Sequence, residues 1–495
     1  MAGTEDGTAA GGNGQARLPE AFLEKMKELL GQEYGAFLET YSQERKKGLR
    51  LNPLKVTGPS EVQMLVKQFG LWKIPWAEEG YYYDEKARPG KHAWHEAGVF
   101  YIQEPSAMAV AEFLEAEPGE KVLDLCAAPG GKTTQIAGKL LGQGLLVSNE
   151  IHPARAKILS RNVERMGIAN AVVTNEEAGT LADRFPAFFD KIVVDAPCSG
   201  EGMFRKDEEA RTQWSREHVL MCARRQGGIL DLAGTMVRPG GRIVYSTCTF
   251  SPEENEGVVN AFLERNPEFY VEQTAAGEAF DAGVPLWVEA GRKELAFTCR
   301  IWPHHAQGEG HFAAVLRKAG EERDNRPQKY KKPSYVKDAQ IKSLWREFCL
   351  DTLSKEGEEL FGRKAEERMV RFGEQLYLVP GMMPDFAGLR ILRAGLHLGT
   401  IKKNRFEPSH GLALYLKKEQ VKRWQAWGAE SRETAAYMGG ETLEAGAEGG
   451  NGWTLVLAGG YSIGWAKKVG GILKNHYPKG LRSHDHYRLQ GTCER

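Results

Sequence analysis

The feature that most constrains the fold is the stretch from residue 121 to residue 316, in which short apolar segments alternate with longer segments of helical periodicity. Such alternation predicts a doubly wound α/β sheet of parallel strands. Right-handed crossovers place the carboxyl ends of these strands at one edge of the sheet, where ligands bind. The predicted strands cover residues 121–125, 145–148, 171–174, 191–194, 242–246, 295–301 and 312–316, and the predicted helices include 153–166, 208–237 and 253–264.

Length and composition indicate a globular protein of several domains. A chain of 495 residues is too long for one ordinary domain, and 41% hydrophobic residues suffice for each domain to bury a core. No run of about 18 apolar residues occurs, so no membrane helix is expected. Seven cysteines, scattered and odd in number, favour reduced thiols in the cytoplasm. Residues 1–16 lack the apolar core of a secretory signal and are expected to form a disordered tail.

The charges balance overall but are distributed unevenly along the chain. Lysine plus arginine and aspartate plus glutamate each total 66, so the net charge alone gives no reason to expect nucleic acid. Residues 388–424, however, hold nine basic against two acidic residues, residues 453–488 six against one, and residues 315–346 ten against four. A solvated face explains one such run. Three successive runs interleaved with aromatic residues favour a surface that binds a polyanion.

A glycine-rich loop follows the first predicted strand of the sheet. It reads Cys126-Ala127-Ala128-Pro129-Gly130-Gly131-Lys132 and leads into a helix, whose first N–H groups are free to bind a ligand. A triphosphate-binding loop needs glycine where Cys126 stands, and the dinucleotide pattern Gly-x-Gly-x-x-Gly is absent. The third interpretation is S-adenosylmethionine, because a carboxylate at the end of the second strand, Glu150, can accept from both ribose hydroxyls. A turn that binds nothing stays open as the alternative.

Two cysteines are predicted at the ligand edge of the sheet. Asp195-Ala-Pro-Cys198-Ser-Gly follows the fourth strand, and Ser246-Thr-Cys248-Thr-Phe follows the fifth. Most free cysteines are small buried hydrophobic residues, which suits Cys222 but fits a pair at neighbouring strand ends poorly.

Paired thiols beside a methyl donor suit a pyrimidine target. Carbon 5 of a pyrimidine is barely nucleophilic, but a thiolate that adds to carbon 6 makes carbon 5 an enamine carbon that can accept a methyl group. An acid must also polarise the ring at nitrogen 3 and the amino group, and Asp195 is placed for that. A second group must then assist loss of the carbon 5 proton and of the thiol. An exocyclic amine target would require no cysteine.

These motifs resemble those of the RNA cytosine-5 methyltransferases of the Nop/Sun family. Four motifs occur in the family's order: Tyr101-Ile-Gln-Glu-Pro-Ser106, the glycine loop with the preceding Asp124-Leu, the segment that begins at Asp195, and Ser246 to Phe250 followed by Ser251-Pro-Glu-Glu-Asn-Glu256. The segments 392–399, 403–410 and 474–482 are similar to the family's F-type subgroup, which acts on bacterial small-subunit ribosomal RNA and ends in a PUA-like RNA-binding domain.

The resemblance implies a role for each matching residue. Cys248 is expected to be the nucleophile and Cys198 to assist release of the methylated base, whereas Asp195 contacts the cytosine and Lys132 lies near the reacting groups. The family usually has aspartate at the adenine contact after the third strand; here the chain reads Asn-Glu-Glu, and we select Glu177 as the counterpart. The residues expected to hold S-adenosylmethionine are Cys126, Ala127, Ala128, Pro129, Gly130, Gly131, Lys132, Glu150, Glu177 and Asp195.

The same resemblance predicts the domain organisation. After the tail we expect an N-terminal RNA-binding α/β extension at 17–91 and a class I, Rossmann-like methyltransferase domain at 92–320. A linker at 321–340, a first C-terminal domain at 341–430 and a PUA-like α+β domain at 431–495 complete the chain.

The predicted function is methylation of cytidine in RNA, with small-subunit ribosomal RNA or the assembling small subunit as the expected substrate, in the cytoplasm and without a membrane. No metal is expected, because His304, His305 and His311 lack the usual acidic or cysteine companions at ligand spacing. The alternatives are a transfer RNA cytosine-5 methyltransferase, an enzyme that methylates DNA, a protein or a small molecule, and a non-catalytic RNA-binding ribosome assembly factor.

Overall fold

A computed structural model describes residues 18–320, 330–446 and 450–482. The predicted tail at 1–16 lies outside the described residues, and so do residues 321–329 of the predicted linker. The described residues form four β-sheets, of which the largest has ten strands. No described helix is long and apolar enough to cross a membrane.

The N-terminal region joins a helical hairpin to a four-stranded antiparallel sheet of order β2-β3-β1-β4. Phe22 and Met26, one helical turn apart on the first helix, are fully buried, as an amphipathic helix requires. The elements are α1 Glu20–Leu30, α2 Tyr34–Glu39, β1 Lys47–Leu51, α3 Pro59–Phe69, β2 Trp72–Lys73, β3 Gly80–Tyr83, α4 Ala93–Glu96 and β4 Phe100–Ile102.

The central region is the predicted doubly wound sheet. Its five parallel strands have the order β7-β6-β5-β8-β9, which reverses direction between β5 and β8. Every residue of β6 is buried, because helices cover both faces of a parallel sheet. The elements are α5 Pro105–Leu114, β5 Lys121–Asp124, α6 Gly131–Lys139, β6 Leu145–Asn149, α7 Pro153–Arg165, β7 Ala171–Thr174, α8 Ala178–Arg184, β8 Phe189–Asp195, α9 Glu208–Gln213, α10 Arg216–Met236, β9 Val237–Thr247, α11 Glu256–Arg265, β10 Phe269–Val271, β11 Asp281–Ala282, β12 Cys299–Ile301 and β13 His311–Lys318.

Three details of the central region differ from the sequence prediction. The sheet is mixed, since β13 runs antiparallel to β9 and to its other neighbours β10 and β12, so the start of β13 and not its end lies at the ligand edge. Of the late strand predicted at 295–301, only the last three residues form a strand, β12. The helix predicted at 208–237 is interrupted, because Ser215 accepts a hydrogen bond from the backbone N–H of His218 and caps a new helix.

The first C-terminal region contains a four-stranded antiparallel sheet of order β14-β15-β17-β18 and gives one strand to the central sheet. That strand, β16, pairs antiparallel with β7 and covers an edge that would otherwise be open. The backbone carbonyl of Arg390 also accepts from the N–H of Asn175 at 2.9 Å. The elements are α12 Ala339–Thr352, α13 Lys355–Leu360, α14 Arg363–Glu366, β14 Met369–Phe372, β15 Gln375–Leu378, β16 Ile391–Ala394, β17 Leu396–Lys402, β18 Arg405–Pro408 and α15 His410–Tyr415.

The last region is a five-stranded sheet of order β19-β21-β22-β23-β20 that packs on the N-terminal region. The indole N–H of Trp94 donates to the carbonyl of Ala458 at 3.1 Å, and the two regions share one hydrophobic cluster. The first strand of this sheet precedes residue 431, where we predicted the domain to begin. The elements are β19 Trp424–Trp427, α16 Arg432–Gly439, β20 Leu443–Glu444, β21 Gly452–Ala458, β22 Tyr461–Val469 and β23 Ile472–Asn475.

Candidate active site

A cavity of about 870 Å³ opens at the carboxyl ends of the parallel strands, where the strand order reverses. Open α/β sheets bind their ligands at this position. The predicted site residues that line the cavity are Cys126, Ala128, Glu150, Glu177, Asp195, Cys198 and Cys248. The other predicted residues, Ala127, Pro129, Gly130, Gly131 and Lys132, lie in the same loop and helix start but are not among the lining residues.

The glycine-rich loop connects the end of β5 to the start of α6 at this edge of the sheet. Gly130 has a φ of 113°, a conformation that favours glycine, and α6 begins at the next residue. The backbone N–H of Ala127 donates to the carbonyl of Asn149 at 2.8 Å, which ties the loop to the end of β6. From the N-terminal region, the buried guanidinium of Arg50 donates to the carbonyl of Gly131 at 3.2 Å. The loop is therefore fixed from both sides.

Two acidic groups follow β6 and β7. Glu150 is buried, accepts at one oxygen from the backbone N–H of His152 at 2.9 Å and pairs through the other with the exposed Arg155 at 3.3 Å. Lone pairs remain on both oxygens for a ligand. Glu176 is buried and forms an ion pair of 3.1 Å with Arg390. Glu177, the residue selected from the sequence, is exposed and lines the cavity. Of Glu176 and Glu177, only Glu177 forms no ion pair with a described residue.

Lys132, which is buried, and Asp195, whose side chain is 31% exposed, form an ion pair at the cavity. The Lys132 Nζ lies 2.7 Å from Asp195 Oδ2, and the Ser246 hydroxyl donates to Oδ1 at 2.8 Å. Burial raises the pKa of Asp195, but the Lys132 ammonium outweighs it and holds the pKa below its usual value. Burial lowers the pKa of Lys132, and Asp195 more than reverses this. Both groups are therefore charged near neutral pH, although the sequence suggested that Asp195 acts as an acid.

The two cysteines meet at the same edge of the sheet. The sulfur of Cys198, after β8, lies 3.3 Å from the sulfur of Cys248, after β9. The hydrogen bond to Cys248 and burial both raise the pKa of Cys198 well above its ordinary value, so this sulfur stays protonated and can donate to its neighbour. Burial also raises the pKa of Cys126, which keeps that thiol neutral.

The loops that carry the two cysteines are in close contact. The N–H of Gly202 donates to the carbonyl of Cys248 at 2.8 Å, and a Cβ atom at position 202 would lie only 2.8 Å from that same oxygen. Any other side chain at this position would push the two loops apart. Glycine here sets the approach of the two cysteine loops.

Three buried polar residues beside this edge were missed by the sequence analysis. His311 begins β13 and contacts Ser106 at 3.1 Å, and its burial together with the nearby Lys132 lowers its pKa. The signal was hidden, because a parallel sheet would place the start of this strand at the opposite edge. Glu201 and Glu254, both fully buried, bind the cysteine loops. The available signal in the sequence was a glutamate in or directly after each cysteine motif.

The other two histidines lie away from the cavity, in the hairpin between β12 and β13. His304 Nε2 lies 3.3 Å from Glu33 Oε2, and its ring is buried against Phe37. His305 Nδ1 lies 2.8 Å from Asp281 Oδ2. The contacts of His304 with Glu33 and Phe37 hold the N-terminal helical hairpin against the central region.

The acidic group at the end of β5 gives a testable pH dependence. Asp124 is fully buried, accepts from Thr133 Oγ1 at 2.6 Å, and has a second oxygen without a hydrogen-bond partner among the described residues. Burial raises its pKa to about 7. A raised pKa stabilises the fold fully below the ordinary value, and this contribution is lost as the pH rises toward 7.

Replacing Asp124 with asparagine is expected to flatten that pH dependence. The free energy of unfolding of the wild type should fall between pH 5 and pH 8 more steeply than that of Asp124→Asn, since the amide cannot ionise. Urea unfolding at both pH values measures the difference. Glu254, whose pKa burial also raises to about 7, is present in both proteins and cancels. Parallel pH profiles would contradict the prediction.

Comparisons with known proteins cover nearly the whole chain. Family models match residues 111–317 (16S rRNA methyltransferase RsmB/F), 18–105 (N-terminal domain of 16S rRNA methyltransferase RsmF), 347–416 (RsmF rRNA methyltransferase first C-terminal domain) and 427–483 (methyltransferase RsmF PUA domain).

Individual proteins give the same picture. The chain is 32% identical over 461 residues to a ribosomal RNA small subunit methyltransferase F of Shewanella sp. (strain MR-7), covering 90% of this chain and 92% of the relative. A protein of the same name from Klebsiella pneumoniae (strain 342) is also 32% identical, with 94% and 96% covered. A solved structure of a methyltransferase homolog protein from Pyrococcus horikoshii aligns with a TM-score of 0.53 at 26% identity, covering 61% of this chain and 95% of that one.

Proposed function

Because the chain belongs to the RsmB/F family of 16S rRNA methyltransferases, we propose that it transfers a methyl group from S-adenosylmethionine to carbon 5 of a cytidine in small-subunit ribosomal RNA. The chain is an S-adenosylmethionine-dependent RNA methyltransferase with a Rossmann-like fold and a C-terminal PUA domain, as the sequence predicted. The choice of carbon 5 is supported mainly by one observation, the two sulfurs 3.3 Å apart at the ligand edge of the sheet.

The groups around the cavity suit S-adenosylmethionine. Glu150 at the end of β6 can accept from both ribose hydroxyls, and Ile151 and Ala178 supply apolar surface for an adenine ring. Glu177 is our proposed adenine contact, and the loop from Cys126 to Lys132 our proposed cradle for the methionine part. The bound cofactor supplies an electrophilic methyl group.

The two thiols divide the remaining chemistry. We propose that the Cys248 sulfur adds to carbon 6 of the cytosine and thereby makes carbon 5 nucleophilic. After methylation the bond between the Cys248 sulfur and carbon 6 breaks as Cys198 donates its proton to the departing sulfur, and the Cys198 thiolate formed in this way accepts the carbon 5 proton. Cys198 assists this release, since its protonated sulfur lies within hydrogen-bond distance of the departing sulfur.

The charged pair binds the base. In this proposal the Asp195 carboxylate accepts from the exocyclic amino group, and the Lys132 ammonium donates toward nitrogen 3, where negative charge develops on addition of the thiolate. This assignment changes the expectation from sequence, in which Asp195 itself supplied the proton. The reason is electrostatic: Lys132 keeps Asp195 ionised.

RNA recognition is assigned to the basic C-terminal regions. A carbon within a stacked helix is inaccessible to a thiol, so the target cytidine must be single-stranded or flipped. Trp424 is 44% exposed, and the ammonium of Lys418 lies 4.0 Å from its ring centroid, a pair suited to a base and a phosphate. Trp465 and Tyr477 are buried and belong to the core. The exposed lysines that form no ion pair with any described residue include Lys403, Lys417, Lys418, Lys467, Lys474 and Lys479.

Binding of this RNA is expected to weaken steeply with salt. Each phosphate contact to a single strand contributes roughly −0.7 to the slope of log affinity against log salt. Lys418→Ala and Lys467→Ala should each flatten the slope by about that amount, whereas Lys402→Ala, whose ammonium is already paired with Glu374, should not. Filter binding across a salt series measures the slopes. An affinity independent of salt would remove the phosphate-contact argument.

Identification of the methylated nucleoside tests the proposal directly. The protein is incubated with labelled S-adenosylmethionine and total RNA from a strain that lacks the activity, and the small-subunit RNA and transfer RNA are separated before each is digested to nucleosides. Label in 5-methylcytidine supports the proposal, and label in another nucleoside contradicts it. Label only in transfer RNA supports that alternative substrate, and no label supports a non-catalytic assembly factor. Since ribosomes assemble in the cytoplasm of bacteria, we place the reaction there.

A further inference from the structure

Two buried glutamates link the loops that carry the cysteines, and they do so reciprocally. Glu201 lies three residues after Cys198, and its Oε2 accepts from the backbone N–H of Phe250 at 2.8 Å. Phe250 belongs to the other loop, two residues after Cys248. Each loop thus supplies a carboxylate that can bind an amide of its neighbour.

The second half of the exchange runs in the opposite direction. Glu254, six residues after Cys248, accepts at Oε2 from the backbone N–H of Ser199 at 2.9 Å. Ser199 directly follows Cys198, and its hydroxyl donates to the other oxygen of Glu254. Gln226 on α10 adds a hydrogen bond of 2.8 Å to the same carboxylate. Both glutamates are fully buried, so water does not compete for these bonds.

We propose that Glu201 and Glu254 are positioning residues that hold the Cys198 and Cys248 sulfurs at the separation required for addition to the base and release from it. The inference rests on the proposed function, because the separation matters only if both sulfurs act on one ring. A displacement of about 1 Å in a catalytic group can cost on the order of 100-fold in rate. The amides of Ser199 and Phe250 lie one and two residues after the cysteines, so their hydrogen bonds to Glu254 and Glu201 can fix the positions of the two sulfurs.

The two glutamates differ in their surroundings, which makes the proposal specific. Glu201 is surrounded by donors alone: the ammonium of Lys25 at 2.6 Å, the indole of Trp214 at 3.0 Å and the hydroxyl of Ser251 at 2.8 Å share its Oε1, in addition to the Phe250 amide on Oε2. An amide side chain would point an N–H₂ group at one of these donors. Glutamine cannot replace Glu201 in this environment.

Glu254 faces a group that can reverse its role. One oxygen receives N–H donors, and the other receives the Ser199 hydroxyl, which can accept as well as donate. Glutamine at position 254 can keep its carbonyl oxygen toward the amide and donate its N–H₂ to the Ser199 oxygen. Replacement by glutamine should therefore be tolerated at position 254 and harmful at position 201.

The experiment compares these substitutions in the full-length protein. Glu201→Gln and Glu254→Ala are expected to lower kcat about 100-fold with an unchanged KM for S-adenosylmethionine, whereas Glu254→Gln keeps most of the turnover. The matched control is Glu164→Gln, which removes a half-buried carboxylate on α7 that pairs with Arg393 of β16 and lies outside the cysteine loops. Its kcat should equal that of the wild type at temperatures where all variants are folded.

A second measurement reports on the sulfurs without RNA or cofactor. Rates of alkylation by iodoacetamide at Cys198 and Cys248, read by peptide mass spectrometry, should change severalfold in Glu201→Gln and Glu254→Ala but not in Glu164→Gln. The buried Cys349 of α12 serves as an internal reference. If Glu201→Gln does not fold, the contrast between Glu254→Ala and Glu254→Gln decides the question.

The outcomes separate the two proposals. Wild-type alkylation rates and kcat in the folded position-201 and position-254 variants would overturn the positioning role, and so would an equal loss of kcat in Glu164→Gln. If the wild type forms no 5-methylcytidine but alkylation is still altered in Glu201→Gln and Glu254→Ala, the result supports the positioning role of the glutamates and contradicts the proposed function.

Discussion

Replacing Cys198 with alanine is expected to trap the protein on RNA as a covalent complex that survives denaturation. The Cys248 sulfur can still add to carbon 6 and methyl transfer can proceed, but the partner sulfur that lies 3.3 Å away and assists release is absent. Loss of one group that assists proton transfer costs about 10²- to 10⁴-fold, so turnover should fall by that factor. Denaturing gel electrophoresis with labelled RNA detects the complex.

Cys248→Ala should behave in the opposite way. It forms no complex, and methyl transfer falls by about 10⁴-fold or more, the order expected when a nucleophile is removed. The double variant should also form no complex. Cys222→Ala is the matched control, because this thiol is buried in α10 and lies outside the pair. A complex in Cys248→Ala but not in Cys198→Ala would mean that the two roles are exchanged.

The second large effect is expected from Lys132→Met. Without the ammonium 2.7 Å away, burial raises the pKa of Asp195, and the carboxyl is protonated at a higher pH than in the wild type. A protonated Asp195 no longer accepts from the cytosine amino group in the proposed arrangement. Removal of an electrostatic contact to the transition state costs about 10²- to 10³-fold in kcat.

The pH profile distinguishes this cause from a general loss of structure. Asp195 has a lowered pKa in the wild type, so the stability that it contributes is present above the ordinary carboxyl pKa and is lost as the pH falls through the lowered value. In the variant, the acidic limb of the activity profile should move upward, so that residual activity increases toward alkaline pH. The stability at pH 7 should also fall, because Asp195 loses its ion-pair partner.

Lys139→Met is the control for this experiment. Lys139 lies on the same helix, α6, and pairs with Glu78 at 2.6 Å outside the cavity. We expect wild-type kcat and an unmoved acidic limb for this variant. Identical profiles for Lys132→Met and the wild type would show that the ion pair has no part in the reaction.

The sequence predicted the parallel core of the fold because its strands are short, apolar and buried on both faces. All five parallel strands occur where the alternation of apolar and helical segments indicated, and β7 has the predicted bounds. The meeting of Cys198 and Cys248 followed from the same rule, since parallel strands end at one edge. Local pattern and crossover geometry together were sufficient for this part of the site.

The features that the sequence did not reveal depend on distant contacts. The direction of β13 is set by its pairing with β9, and this pairing brings His311 to the ligand edge. The ionised state of Asp195 depends on an ammonium 63 positions earlier in the chain. The exchange between Glu201 and Glu254 joins two loops that no local periodicity relates. Charge states and loop-to-loop bonds of this kind follow from packing and not from pattern.

Strand β16 has a consequence for how this protein can change over evolution. It comes from the region beyond the linker, yet it closes the central sheet at β7, and its neighbour Arg390 binds the acidic residue Glu176 beside the cavity. The methyltransferase domain is thus not structurally independent of the C-terminal regions. A lineage that lost the C-terminal regions would also lose the strand that covers β7 and the ion-pair partner of Glu176, a residue that lines the cavity, so recognition and chemistry are inherited together.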